Sequence, residues 1–200
     1  MVVERRSSER TVAILEAAIP IVGACGYYGF SLKSLASACE MTVPGVLHHF
    51  GSKERLLLDL LKHLENENFQ SVWEEIAVFN KDELEALSLE DVRRLLRESV
   101  TRSSKVPEIT RLLSMLRTEA LYPEHPAHDF FVDRSRRSIV AITHMFTGKS
   151  ASPERTASLV LAQMIGLEIL WLASPGGVDL VGLWDQAFEQ LLAANRCAGD

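Results

Sequence analysis

The chain has 200 residues, 47% of them hydrophobic and 24% charged, with a formal net charge of −6 at pH 7. That is room for a small head and a larger body that buries its own core. The charge is uneven. Through Arg55, six basic residues face five acidic ones, a balance of +1, and the remainder carries −7, so a polyanion attracts one end of the molecule and repels the other. Cys25, Cys39 and Cys197 are odd in number and show no CxxC spacing, which excludes a disulfide framework and suits buried, reduced thiols in a cytoplasmic protein. The N-terminal string MVVERRSSER has no apolar stretch after its charges, and no segment reads as a charge-free membrane span, so neither a signal peptide nor a membrane anchor is expected.

The first predicted element is an apolar helix over residues 14–29, ILEAAIPIVGACGYYG. Pro20 falls inside it, removes one backbone hydrogen bond and crowds the carbonyl of Glu16, so a kink is expected near Glu16. Leu32, Leu35 and Ala36 then recur at i, i+3, i+4 behind Ser31, which is placed to cap a short helix. A break at Glu40 follows. Thr42 stands as the next cap, and Pro44 takes an early helical position where its missing N–H costs nothing. Val46, Leu47 and Phe50 form the buried stripe of this second short helix, leaving Thr42, Val43, Gly45 and His48 on its outer face. Two short helices joined by a tight turn have the shape of a helix-turn-helix, whose second helix offers its outer face to base edges in the major groove.

The strings ILEAAIPIVGACGYYG, SLKSLASA, CEMT, VLHHF and KERL follow one another over residues 14–56, and in order and spacing they resemble the head of the TetR family of one-component repressors. The resemblance implies an all-α fold: a three-helix helix-turn-helix head, residues 1–52, and a helical ligand-binding and dimerisation body, residues 53–200, about nine helices in all. It implies a DNA-binding transcriptional regulator, a repressor that reads a palindromic double-stranded operator as a dimer and is released by a small effector. A constitutive DNA-binding or interaction module without an inducer is the alternative. Thr42, Val43, Gly45 and His48 are the expected groove contacts, and Lys33, His49 and Lys53 the phosphate contacts. For His49 the alternative is a neutral imidazole that bridges helix ends. Arg5 and Arg6 would form a flexible arm for the minor groove. Three departures accompany the match, the first being Pro20 inside the opening helix. Glu40 replaces the usual Gly of the turn, at about 1 kcal/mol if the backbone keeps φ > 0, and Leu47 replaces a Tyr whose hydroxyl reaches a phosphate, so that contact does not carry over.

Beyond Gly51 the pattern stays helical. Ser52 caps a helix with a ridge of Leu56, Leu57, Leu60, Leu61 and Leu64, running on past Phe69, Val72 and Trp73. The acidic residues 80–91 read as a connection and a helix start. Further helices are predicted at about 89–103, 107–121, 126–146, 153–173 and 180–195, with no strand alternation and no repeat. Residues 159–173 are apolar around the whole cylinder, which requires burial on more than one side. With the stripe Leu180, Leu183, Trp184, Ala187, Phe188, Leu191 and Leu192, they would form a two-fold, four-helix interface of a homodimer.

Trp73, Met115, Glu119, Phe130, Phe131, His144, Met145, Met164, Glu168 and Trp171 supply the aromatic, thioether and sparse polar groups that suit an apolar or amphipathic small molecule, though the same residue types serve as ordinary core. Glu119 and Glu168 are the sharper cases, because a carboxylate in an apolar helix must be paired, protonated or turned to water. Glu119, Glu124, His125, His128 and Asp129 lie close in sequence, but Pro123 and Pro126 make their segment a helix-start loop, so no metal site is expected. No Ser/His/Asp order, Gly-rich phosphate loop or catalytic cysteine environment stands out, so neither an enzyme nor a cofactor is expected.

Overall fold

The computed structural model describes residues 2–65, 79–174 and 176–195, with side chains from residue 9 onward. Ten helices and no strand occur among them: α1 (Val2–Gly29), α2 (Leu32–Ala38), α3 (Val43–Phe50), α4 (Lys53–His63), α5 (Lys81–Ala86), α6 (Leu89–Lys105), α7 (Pro107–Glu119), α8 (His128–Phe146), α9 (Pro153–Ala173) and α10 (Leu180–Ala194). The continuation of α4 through Phe69, Val72 and Trp73 lies outside the described residues. Compared with the expected set, α5 is the addition. Its six residues are held by a reciprocal cap in which Asn80 accepts the Glu83 N–H and Glu83 accepts the Asn80 N–H, a pattern that satisfies two orphan donors at once.

Two compact units result, residues 1–68 with 111–131 and residues 69–110 with 132–200. Both α7 and α8 are divided between them, and the boundary expected after residue 52 falls inside the first unit. In the first unit α1 packs on α2 and α4, and α3 packs on α2 and α4. Leu35, Val46, Leu56, Leu57, Leu60 and Leu61 are fully buried there. In the second, α10 packs on α6 and α9, with Trp184 and Phe188 stacked at 5.3 Å in the core. Arg97 Nε donates to both carboxylate oxygens of Asp185 at 2.9 and 3.0 Å, and Arg93 reaches Glu189 at 2.8 Å. These pairs are solvent-exposed, so they orient the helices more than they stabilise them.

Five expectations change. Cys25 is exposed and Cys39 half-buried where buried thiols were expected. Helical angles persist through Glu16 and Pro20, and the break in α1 comes instead at Gly26, with φ 70° and ψ −176°. Pro20 and Glu16 are both exposed, so the carbonyl that Pro20 leaves without a partner can turn to water. The helix begins at Val2, which places Arg5 and Arg6 in α1 where an arm was expected. Leu47 is half-buried, while Val46 and Phe50 form the buried stripe of α3. Finally, Glu9–Gly29 and Pro153–Ala173 are each long and apolar enough to cross a membrane by length and composition. The first nevertheless buries Ile14, Leu15, Ala18 and Val22, and the second buries Thr156, Ala157, Val160 and Met164.

Glu40 keeps the left-handed backbone, with φ 52°. A side chain there costs roughly 1–2 kcal/mol, of which Gly would recover part after its own larger unfolded-state entropy. Replacing Glu40→Gly is therefore expected to raise the unfolding free energy by about 0.5–1 kcal/mol in urea titration. A less stable variant would show that the turn does not carry this strain.

Candidate nucleic-acid interface

Helices α2, α3 and α4 each start on a side-chain cap. Ser31 Oγ accepts the Ser34 N–H at 3.1 Å, Thr42 Oγ1 the Gly45 N–H at 3.2 Å and Ser52 Oγ the Arg55 N–H at 3.1 Å. Such caps fix where a short helix begins, which matters because a helix of seven or eight residues has little stability of its own. Burial of Val46 and Phe50 then sets the rotation of α3. Thr42 and His48 are exposed, and Val43 and Gly45 half-buried, beside this outer face; Lys33 is exposed on α2. A Cβ on Gly45 would lie 3.3 Å from both Met41 Cε and Thr42 Oγ1, so the start of α3 is close-packed against its own cap.

His49 and Lys53 have partners within the unit. His49 Nδ1 lies 3.2 Å from Thr11 Oγ1 on α1, which is the bridging use of that imidazole. The Lys53 ammonium sits 4.5 Å from the ring centroids of both Tyr27 and Phe30. A helix N-terminus repels a cation by a few tenths of a kcal/mol, and a cation over an aromatic face gains about 0.5–1 kcal/mol at exposed sites. The two rings therefore hold the charge where the helix end alone would disperse it.

Those rings depend on a residue the sequence reading assigned elsewhere. The break at Gly26 frees the N–H of Tyr27 from the helical ladder, and Glu119 Oε2 accepts it at 2.8 Å. Gly26 is required twice: its backbone region is essentially confined to Gly, and a Cβ would stand 2.3 Å from Glu119 Oε1. Tyr27 Oη donates to Glu54 Oε1 at 3.0 Å. Burial first, and then Glu54, push the Tyr27 phenol up to about 12. Glu54 is held below the usual carboxylate range by its own backbone N–H, then by the Ser52 and Tyr27 hydroxyls. His125 stacks edge-on against Tyr27 and Tyr28, at 5.1 and 5.5 Å. Its Nδ1 accepts the Ala127 N–H at 3.1 Å, so the neutral ring carries its proton on Nε2, which lies 3.7 Å from Glu119 Oε2. That is too long for a hydrogen bond.

Gly26, Tyr27, Phe30, Glu54 and His125 were not among the expected site residues. A helical Gly followed by two tyrosines was the available signal. The partner 92 residues on left none.

The candidate effector residues separate. Met115, Glu119 and Phe130 belong to the first unit, and His144, Met145, Met164, Glu168 and Trp171 to the second; Trp73 lies outside the described residues. Met145 and Met164 are core members of the second unit, with Trp171 packed against them. His144 Nδ1 lies 3.1 Å from Glu85 Oε1, and Ser103 Oγ donates to Glu168 Oε1 at 2.7 Å. No group of three or more His, Cys, Asp or Glu arranged to hold a metal ion occurs among the described residues.

Residues 14–60 match the family model for bacterial regulatory proteins of the TetR family. This stretch is similar to the DNA-binding head of the TetR family. The match spans α2, α3 and most of α4, together with the part of α1 that contains Gly26. No curated protein matches the chain. Among solved structures the chain resembles NalD, the secondary repressor of the MexAB-OprM multidrug efflux pump in Pseudomonas aeruginosa, at 20% identity and a TM-score of 0.77 over 97% of this chain and 99% of that one. It also resembles SmeT, the repressor of the Stenotrophomonas maltophilia multidrug efflux pump SmeDEF, at 16% identity and a TM-score of 0.71 over 94% and 91%. A SmeT–triclosan complex matches at 16% identity and 0.73 over 96% and 93%. At these identities the likeness establishes the fold.

Two measurements check this geometry. Gly26→Ala is expected to lose about 1–3 kcal/mol of unfolding free energy from backbone strain, and more if Glu119 cannot move aside. Burial holds the His125 pKa below its ordinary 6.5, against the opposing pull of Glu119. The unfolded chain then takes a proton that the folded chain resists, so stability should fall as pH drops through about 6.5. In His125→Gln that fall should be shallower.

Proposed function

We propose that the protein is a homodimeric transcriptional repressor that binds a palindromic operator and is released by a small apolar or amphipathic effector. The observation that carries this reading is the coincidence of the TetR-family match with a capped helix-turn-helix whose outer face keeps Thr42 and His48 exposed. Thr42, Val43, Gly45 and His48 read base edges from α3, while Lys33 and Lys53 neutralise phosphates around it and His49 offers one a hydrogen bond. The protein acts in the cytoplasm and is a regulator without catalytic activity.

Dimerisation uses the outer faces of α9 and α10. On α9, Leu159, Ala162, Gly166, Ile169, Leu170 and Ala173 are all exposed and recur with the three-four spacing of a helix-packing seam. Gly166 has open space around its missing Cβ, so nothing within the protomer accounts for a Gly in the middle of this helix. A close crossing by a second copy does. On α10 the stripe largely serves the protomer's own core, with Leu180, Trp184, Phe188, Leu191 and Leu192 buried. Leu183 and Ala187 remain half-buried beside exposed Gln186 and Gln190 as its share of the dimer face. The effector sits in the second unit beside Met145, Met164 and Trp171, with Glu168 and Ser103 as its polar contacts, in keeping with the TetR-like SmeT, solved with triclosan.

With 3 to 4 phosphate contacts per protomer, the dimer is expected to bind DNA with a log–log salt slope of about −5 to −7. Leu170→Glu, which sets like charges across the seam, should be monomeric at micromolar concentration by light scattering and lose most of its operator affinity. A monomeric wild type, or a flat salt response, would overturn the proposal.

A further inference from the structure

Glu119 sits at the end of α7, far in sequence from the helix-turn-helix, yet within the same unit it accepts the Tyr27 amide beside the Gly26 break. From there a continuous set of contacts leads to the DNA-facing turn of α4. Glu119 holds the Tyr27 backbone, Tyr27 Oη holds Glu54, and the Tyr27 and Phe30 rings hold the Lys53 ammonium. His125, with its side chain fully buried, wedges against the Tyr27 ring from the loop that follows α7 and leaves Glu119 Oε2 to the Tyr27 amide. A lysine loses considerable rotamer freedom when it is ordered on a phosphate. Two rings already fixing its ammonium remove part of that loss before DNA arrives.

We propose that Glu119 is a positioning residue for DNA binding: by anchoring Tyr27 at the Gly26 break, it pre-places Lys53 for its phosphate, so that the end of α7 sets the strength of a contact made at the start of α4. This rests on the operator-binding reading above, in which Lys53 touches phosphate. Because α7 runs from residue 107 in the second unit to residue 119 in the first, displacing the end of this helix would weaken the phosphate contact without any change in α3.

The test is the salt dependence of binding to a duplex carrying the sequence enriched from a random pool. It compares the wild-type chain with Lys53→Ala, Glu119→Ala, Glu119→Asp, Glu119→Gln and the Glu119→Asp/Lys53→Ala double variant. One phosphate contact per protomer contributes about 2 to the magnitude of the slope of a dimer, so Lys53→Ala should flatten it by that amount. Glu119→Ala should do the same. Glu119→Asp keeps the charge but shortens the reach by one methylene, and it should lose the same slope in a chain that still melts cooperatively; adding Lys53→Ala to it should change nothing further. Glu119→Gln keeps an oxygen for the Tyr27 N–H and should retain the wild-type slope. If Lys53→Ala flattens the slope equally with and without Glu119→Asp, Glu119 has no part in placing Lys53 and the inference is overturned while operator binding stands. If the wild-type chain shows no salt-dependent binding, the operator reading fails and this inference with it.

Discussion

The amide of Tyr27 is the constraint on which the head depends. A helix interrupted at Gly26 must find a new acceptor for the N–H that the interruption frees, since a buried amide left unpaired costs on the order of 1–3 kcal/mol. The acceptor is a carboxylate from the middle of the chain, and its reach to that amide is open because residue 26 has no side chain. Once Tyr27 is fixed, its hydroxyl and its ring position the first turn of α4 through Glu54 and Lys53. The local chemistry of a three-helix head and the long-range chemistry of residues 119–125 therefore meet in one side chain.

The same economy governs the helix-turn-helix itself. Three hydroxyl caps define the starts of α2, α3 and α4, and a few buried aliphatics define their rotation. The solvent-facing residues are then free to carry recognition. Glu40 holds a backbone conformation better suited to Gly, a strain the surrounding packing sustains. In the second unit, α9 and α10 differ in how they use apolar surface: α10 directs its stripe into the protomer core, whereas α9 leaves Leu159, Ile169 and Leu170 in solvent. An exposed apolar seam of that kind is the surface on which the proposed dimer rests.

Much of this was legible from sequence because its causes are local. Ser31, Thr42 and Ser52 are caps by residue type and position, and Pro107 and Pro153 mark helix starts that the structure reproduces. Pro20 misled, because a proline whose lost bond faces water need not break a helix, while Gly26, six residues on, does. α5 went unread as a separate helix because its six residues depend on the Asn80–Glu83 cap and too few of them are apolar to show a period. The partners of Glu119 and His49 were beyond local reasoning: they are 92 and 38 residues away, and a carboxylate in an apolar helix, like an imidazole expected to bridge helix ends, signals that a partner exists without naming it.

The central claim, that this chain reads a two-fold DNA site, is tested most directly by selecting bound sequences from a random duplex pool with the purified protein at two salt concentrations. The account requires a palindromic consensus whose recovery falls steeply at the higher salt, as expected for a dimer placing two α3 helices in successive major grooves. Recovery of no consensus, or of one indifferent to salt, would contradict it.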